Sequence, residues 1–309
     1  MTENTTDIYI HLSPEARAVI DEPDHVRIAF MRHERFVVHP AVAQVLNEAA
    51  WMIGSESPRA PGLIVSARPG SGKTQLARRL QKIHPARENE GVGMPVTPVI
   101  VISMSGAHDA KAVYGRVLDE LRVPVSTSTS ANAREGLVLD VLRRVSCRLL
   151  VLDEAQDILH GTRREQQRVL EGLKLIMNSL NLPIIAFGTE PAGKAFMSDE
   201  HLAARFREMK LPCWKRDEAL AGLLKTMHGF LPLRKPSSLM SESVVEKLLN
   251  HSGGVLSPLM RLIQDAAIHA ISDGREHIDA AMVDRAFKGR PSAKLLEPPT
   301  SPEGDRPCA

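Results

Sequence analysis

The sequence predicts an α/β fold: a parallel sheet flanked by helices on both faces, followed by a small all-helical domain. Between residues 61 and 212 short apolar runs alternate with helical patterns, and from Trp214 onward the pattern is helical only. A third observation adds chemistry. Ala67-Arg68-Pro69-Gly70-Ser71-Gly72-Lys73-Thr74 follows directly on the apolar run Leu63-Ile64-Val65. That is the arrangement of a phosphate-binding loop entered from a buried strand and left through a helix beginning near Gln75.

Each residue type in this loop has a reason. Gly70 and Gly72 let the backbone curl so that successive N–H groups point inward at phosphate oxygens. Lys73 supplies a point charge for the β- and γ-phosphates, and the Thr74 hydroxyl is placed to ligate Mg²⁺. The helix N-terminus adds partial positive charge on the same anion. Ala67 stands where such loops ordinarily carry their first glycine. Alanine does not freely adopt a positive φ, so the loop entry is expected to differ slightly. Ala67, Arg68, Pro69, Gly70, Ser71, Gly72, Lys73, Thr74 and Gln75 are the candidate nucleotide contacts. The competing account, a glycine-rich turn with an incidental lysine, does not explain the strand before it and the helix after it.

A triphosphatase also needs a carboxylate strand. Leu149-Leu150-Val151-Leu152 has the unbroken apolar character of a strand covered on both faces, and it ends in Asp153-Glu154. Asp153 at the strand tip would hold Mg²⁺, and Glu154 would polarise the attacking water as general base. A third run, Pro183-Ile184-Ile185-Ala186-Phe187-Gly188, ends in Thr189, whose side chain could reach the γ-phosphate or the lytic water. Threonine is also an ordinary turn former at strand ends. In Leu202-Ala203-Ala204-Arg205-Phe206-Arg207, one arginine is a candidate finger for a neighbouring subunit's site, against the plain alternative of a solvated helix face. Arg205 is preferred over Arg207.

Four segments organise the chain: a helical lead-in at 1–60, the phosphate-loop core at 61–213, a helical lid at 214–288 and a disordered tail at 289–309. In the lead-in, Ser13-Pro14 starts one helix, 27–36 is a basic amphipathic stretch, and Pro40 opens a helix through Trp51. Strands are expected at 62–66, 98–103, 148–152, 183–187 and 208–211, with loops at 84–97 and 126–132. Lid helices are expected at 215–229, 241–251, 256–273 and 279–287, the last capped by Asp279. Five prolines in the 21 residues from Gly289, with hardly any apolar periodicity, mark the tail as unable to bury a core.

Composition narrows the function classes. The net charge of +2 gives no global basic field, so any nucleic-acid surface must be a local patch. Two Trp, two Tyr and seven Phe are too few for a base-stacking platform, which leaves duplex phosphate contact open. Cys147, Cys213 and Cys308 lie far apart, as suits a reducing cytoplasm, and no two histidines are three to five residues apart, which argues against zinc. The start of the chain lacks signal-peptide character and no apolar stretch approaches membrane length, so a cytoplasmic protein without a membrane partner is expected.

Taken together, the loop, Asp153-Glu154, Thr189 and Arg205-Phe206 resemble the phosphate loop, metal-and-base pair, first sensor and arginine finger of the AAA+ ATPases. Further marks narrow the likeness: Arg32-His33-Glu34-Arg35-Phe36-Val37-Val38-His39-Pro40, Leu152-Asp153-Glu154-Ala155-Gln156-Asp157, Phe187-Gly188-Thr189-Glu190, and the run from Arg205-Phe206 to Leu211-Pro212-Cys213-Trp214. On these the chain resembles the TniB/TnsC family of transposition regulators over roughly residues 8–288.

The resemblance implies an AAA+ P-loop NTPase core with a helical lid, using ATP and Mg²⁺. It implies a Mu B-like target selector that binds duplex DNA with little sequence preference when ATP-loaded and assembles along it as a filament or ring. Such a protein presents the target to a DDE transposase, and hydrolysis drives disassembly. A second-sensor arginine is expected just after Gly253-Gly254, yet Ser257 and Pro258 stand there. Arg261, about a turn further on, is the candidate substitute; the alternative is a lid that does not sense the γ-phosphate, with slow hydrolysis as its consequence.

By analogy the DNA-facing surface includes the segment after the second strand and the loops before Asp153. Lys111, Thr127 or Thr129, and Arg134 are candidates there, with Arg163, Arg164 and Arg168 after the carboxylate strand, and contacts would go to phosphate rather than to bases. A protein-remodelling or helicase-loader-type motor is the rival reading. Its usual aromatic pore loop is missing from Ser103-Met104-Ser105-Gly106-Ala107-His108-Asp109. A small-molecule kinase fits the helical lid and Arg205 poorly.

Overall fold

The computed structural model describes residues 9–55, 57–88 and 94–292. Its strands are β1 (Gly62–Ser66), β2 (Val99–Ser103), β3 (Leu149–Asp153), β4 (Ile184–Gly188) and β5 (Phe206–Lys210). They form one five-stranded sheet in the order β2-β3-β4-β1-β5, and every ladder is parallel. Helices α1 (Pro14–Arg17), α2 (Asp24–Arg32) and α3 (Pro40–Gly54) precede the sheet. The connections carry α4 (Lys73–Ile83), α5 (Ala110–Glu120), α6 (Ala131–Arg144), α7 (Arg163–Leu180), α8 (Glu190–Met197) and α9 (Glu200–Ala203). Then come α10 (Glu218–Phe230), α11 (Glu242–Ser252), α12 (Leu256–Ser272) and α13 (Ala280–Lys288).

The chain divides into an α/β unit, Val38–Pro212, and a helical unit made of Met1–Val37 with Cys213–Ala309. In the α/β unit, β1, β3 and β4 are buried along their whole length, which is why each reads as an apolar run rather than an alternation. Ile64, Ile100, Ile102, Leu150, Leu152, Ile184 and Ala186 share a core with Val113, Val117, Val138, Leu142, Leu173 and Ile176 from α5, α6 and α7. Helix α4 packs on β2, β3 and β4, with α3 beside it.

Four of the expected strands lie within one residue of their expected bounds, but the fifth, expected at 208–211, begins at Phe206. β5 is an edge strand in which only Phe206 is buried, so its charged Arg207, Glu208 and Lys210 disguise it. Phe206 is fixed by its neighbour: a Cβ on Gly62 would come within 2.4 Å of its ring. Helix α10 begins at Glu218 rather than 215, because the Asp217 side chain accepts from the Leu220 N–H and sets the start. Ser13, Ser130 and Asp279 cap α1, α6 and α13 in the same way. In the loop expected at 84–97, Arg87 and Val96 form an antiparallel bridge, and 89–93 lie outside the described residues. The expected tail lies outside them from residue 293 on.

The lead-in at 1–60 is not one segment. It divides at Val37/Val38, with α2 in the helical unit and α3 in the α/β unit. Ile28 and Met31 of α2 are buried with Leu223, Met227, Leu259 and Ile263. Arg27, only 2% exposed, anchors the same helix: Nη2 donates to the Pro232 carbonyl at 2.7 Å, and the guanidinium grips both carboxylate oxygens of Glu276. Glu276 sits at φ 60° and its carboxylate also accepts from the Arg234 N–H, so the surrounding bonds over-determine a strained residue. Arg35 completes the attachment, its guanidinium 4.5 Å from the centroids of both Phe30 and Phe230.

Arg27→Ala leaves the largely buried Glu276 carboxylate without its partner and is expected to cost about 3–5 kcal/mol, read by urea unfolding. Adding Glu276→Gln should recover part of the loss. A cost below about 1 kcal/mol, the range of an exposed pair, would remove this anchor from the account.

Candidate functional site

The segment after β1 takes the curled path its glycines permit. Gly70 has φ 79° and Gly72 φ 88°, both in the left-handed region that disfavours any side chain. Ala67, by contrast, is not among the positive-φ residues; its N–H donates to the Gly188 carbonyl at 3.0 Å. Alanine therefore fits the loop entry without strain, and no distortion follows from the missing glycine. Arg68, Pro69 and Gly70 are exposed, and Ser71, Thr74 and Gln75 are half-buried. Gly72 caps α4 with no side-chain hydrogen bond, so the first N–H groups of that helix have no side-chain cap.

Lys73 is the first residue of α4 and is 6% exposed. Its Nζ donates to the carbonyls of Ala67 and Arg68, each at 3.2 Å. Burial pushes its pKa below the ordinary lysine value, while the charges of Glu154 and then Asp153 pull it back up. Lys73, Asp153 and Glu154 are thus one electrostatic group. A desolvated ammonium beside an uncapped helix N-terminus fits a phosphate anion.

Strand order explains how distant residues meet. β4 lies between β3 and β1, with Gly188 opposite Ser66 and Ala186 opposite Leu152. The C-terminal tips of β1, β4 and β3 therefore carry the loop, Thr189 and Asp153-Glu154 side by side. Asp153 is 6% exposed, and its Oδ1 accepts from the Glu154 N–H at 3.0 Å. Glu154 turns the chain sharply, at φ 57°, into a 3-10 turn, Ala155–His160. Thr189 caps α8 by position, makes no side-chain cap bond and is half-buried.

Arg205 lies elsewhere. It precedes β5, and its carbonyl accepts from the Gly62 N–H at the start of β1, while its Nη1 donates to Asn178 Oδ1 at 2.6 Å. The five residues of β1 separate it from the loop, about 17 Å of strand. It does not join the site of its own chain. Arg207 pairs with Glu48 of α3 at 3.2 Å. Arg261 belongs to the helical unit, exposed on α12, where it lines a cavity of about 270 Å³ with His251, Asp265, Phe287 and Arg290. Burial pushes the Asp265 carboxyl up, opposed by Arg32, His269, Arg261 and Arg290.

Among the basic candidates, Lys111 and Arg134 clasp one loop. Lys111 Nζ donates to the Thr127 carbonyl at 2.9 Å and Arg134 Nη2 to the Ser126 carbonyl at 3.0 Å. Arg163 and Arg164 open α7, exposed, behind a Thr162–Glu165 capping box. Two side chains absent from the sequence-based candidates also enter the site. Gln156 Nε2 donates to Glu154 Oε2, and Asp157 Oδ2 accepts from the Gly106 N–H at 3.1 Å. No spacing rule points to them, because their partners are set by the turn after Glu154.

The family described as bacterial TniB protein has a sequence model that matches residues 27–216. No curated protein sequence matches the chain. The fold is similar to that of the Aeropyrum pernix ORC2 protein in ADPNP–ADP complexes, with TM-score 0.59 and 14% identity over 84% of this chain and 70% of that one. It is also similar to Aeropyrum pernix ORC1 in complex with DNA, with TM-score 0.59 and 15% identity over 84% and 68% of the two chains. Cdc6p from Pyrobaculum aerophilum gives TM-score 0.60 and 16% identity over 84% and 69%. The fold is that of the AAA+ ATPases. Among the described residues no helix is long and apolar enough to cross a membrane.

Lys73→Met removes the ammonium that would face a bound phosphate, so the nucleotide-free melting temperature of each protein is the baseline for its own response to ATP. An excess of ATP that raises the wild-type melting temperature should leave the variant's unchanged. An equal shift in both would dissociate Lys73 from nucleotide binding.

Proposed function

The chain belongs to the TniB family, and from that premise we propose that it is an ATP-hydrolysing, duplex-DNA-binding regulator of transposition. ATP loading lets it assemble on target DNA as a filament or ring, without strong sequence preference, and recruit a DDE transposase in the cytoplasm; hydrolysis releases it. The observation that carries the reading is the electrostatic group of Lys73, Asp153 and Glu154, within the stretch matched by the family. The ADPNP–ADP complexes of the similar ORC2 structure and the DNA complex of ORC1 support nucleotide and DNA as ligands.

In this reading the loop from Ala67 to Gln75 holds the phosphates, with Lys73 offsetting their charge. Thr74 and Asp153 would hold Mg²⁺, which would offset the negative charge of the phosphates. Bound ATP supplies the phosphoryl group; Glu154 accepts the proton of the attacking water and Thr189 orients it. Arg205, remote from its own loop, serves the site of the next chain in the assembly. Arg261 is the candidate second sensor. The clasped Ser126–Thr127 loop with Lys111 and Arg134, and the α7 start with Arg163 and Arg164, face DNA phosphates.

Fluorescence anisotropy with a random-sequence duplex tests the reading. Tight binding is expected with a non-hydrolysable ATP analogue and weak binding with ADP or no nucleotide, the affinity falling steeply with salt. Absence of DNA binding in every state, with closed rings seen by electron microscopy, would favour the protein-remodelling motor. Glu154→Gln should keep ATP binding, slow turnover and lengthen the lifetime of DNA complexes; rapid release from DNA would contradict hydrolysis-driven disassembly.

A further inference from the structure

The segment that carries Arg205 is fixed along its length. Leu202 before it is fully buried, and Phe206 after it is buried too, its ring centroid 5.5 Å from that of Phe196. Between these anchors the backbone is bonded at both of its polar groups. The Arg205 N–H donates to the Leu202 carbonyl at 2.8 Å, and the Arg205 carbonyl accepts from the Gly62 N–H at 3.0 Å. Neither bond sets the direction of the guanidinium, which ends a long side chain with many rotamers to lose.

Helix α7 supplies that direction. Lys174 and Asn178 stand four residues apart on it and so share a face. Asn178 Oδ1 accepts from Arg205 Nη1 at 2.6 Å, and Lys174 Nζ donates to Asp199 Oδ2 at 2.8 Å. The other oxygen of Asp199 accepts from the Leu202 N–H at 3.0 Å and starts α9. Burial opposes the charge on Asp199, yet the bonds from Lys174 and Leu202 hold its carboxyl below the ordinary aspartate value. One face of α7 thus grips the segment 199–205 at both ends, while Leu173, Ile176 and Met177 seat the helix in the core. Asn178 is exposed, and for the helix alone alanine would serve better there. Its amide oxygen is a neutral acceptor: it orients a guanidinium without cancelling the charge, as a carboxylate would.

We propose that Asn178 and Lys174 are positioning residues for Arg205, aiming it before a neighbouring chain docks. Resting on the reading of Arg205 given above, the inference adds which residues of the same chain hold it ready. Little side-chain freedom is then lost when the arginine meets the phosphoryl group, and the contact forms in a defined geometry. The two residues are needed in the chain that supplies the arginine. In the chain whose loop holds the nucleotide they are dispensable.

The test is ATPase turnover of full-chain variants at concentrations that assemble the wild type, with ATP affinity measured alongside. Alanine suits an exposed helix position, so Asn178→Ala should fold and bind ATP as the wild type does. Its kcat should fall about tenfold, the scale of one hydrogen bond to a charged group. Lys174→Met should give the same pattern by loosening Asp199. Mixing separates aim from structure. Lys73→Ala has an impaired loop but a well-held Arg205, so its equal mixture with Asn178→Ala should run at about a quarter of wild type, above Asn178→Ala alone. An unchanged kcat in Asn178→Ala, or a loss of ATP affinity in its place, overturns the proposal. So does a loss that Lys73→Ala fails to relieve although it relieves Arg205→Ala. Relief of neither variant overturns the underlying reading of Arg205 instead.

Discussion

A lysine ammonium removed from water is the constraint around which the α/β unit is arranged. Lys73 sits at the start of a helix, where the backbone dipole already disfavours a cation, and burial lowers its proton affinity further. Two loop carbonyls and the charges of Glu154 and Asp153 offset this in part. Such a charge is costly to retain unless an anion completes its surroundings. The sheet order is the means of bringing the carboxylates to it: β4 separates β1 from β3, so the loop, Thr189 and Asp153-Glu154 emerge from three adjacent strand tips.

The same order sends Arg205 away. A parallel strand has one chemically furnished end, and Arg205 stands at the other, beside the start of β1. Its bond to Asn178 holds it in a defined orientation rather than leaving it free on the surface. An arginine so placed can act on a nucleotide only in another copy of the chain. Assembly and catalysis would then be one property, because a head-to-tail contact leaves every internal site complete and every end site lacking its arginine.

Much of this was legible in the sequence. The inner strands were, since burial on both faces forces unbroken apolar runs, and so was the loop, since only glycine fits at Gly70 and Gly72. β5 was displaced because an edge strand with one buried residue has no period to read. The attachment of α2 to the helical unit was not legible either: it depends on Arg27 meeting Glu276, 249 residues later, and the basic amphipathic pattern of 27–36 gives no hint that its largest buried side chain is an arginine. Gln156 and Asp157 were visible only as part of a family motif. Their partners depend on the left-handed turn at Glu154, a conformation that side-chain type alone does not announce.

The claim on which the rest depends is that each site is shared between two chains, and mixing two inactive variants tests it directly. Lys73→Ala lacks its own loop charge but keeps Arg205; Arg205→Ala lacks the arginine but keeps the loop. Each alone should be nearly inactive as an ATPase at concentrations that assemble the wild type. In an equal mixture half the chains carry an intact loop and half of their neighbours an intact arginine, so activity should return to about a quarter of wild type. No recovery, with co-assembly of the two variants confirmed, would contradict the account and return Arg205 to the role of a surface side chain.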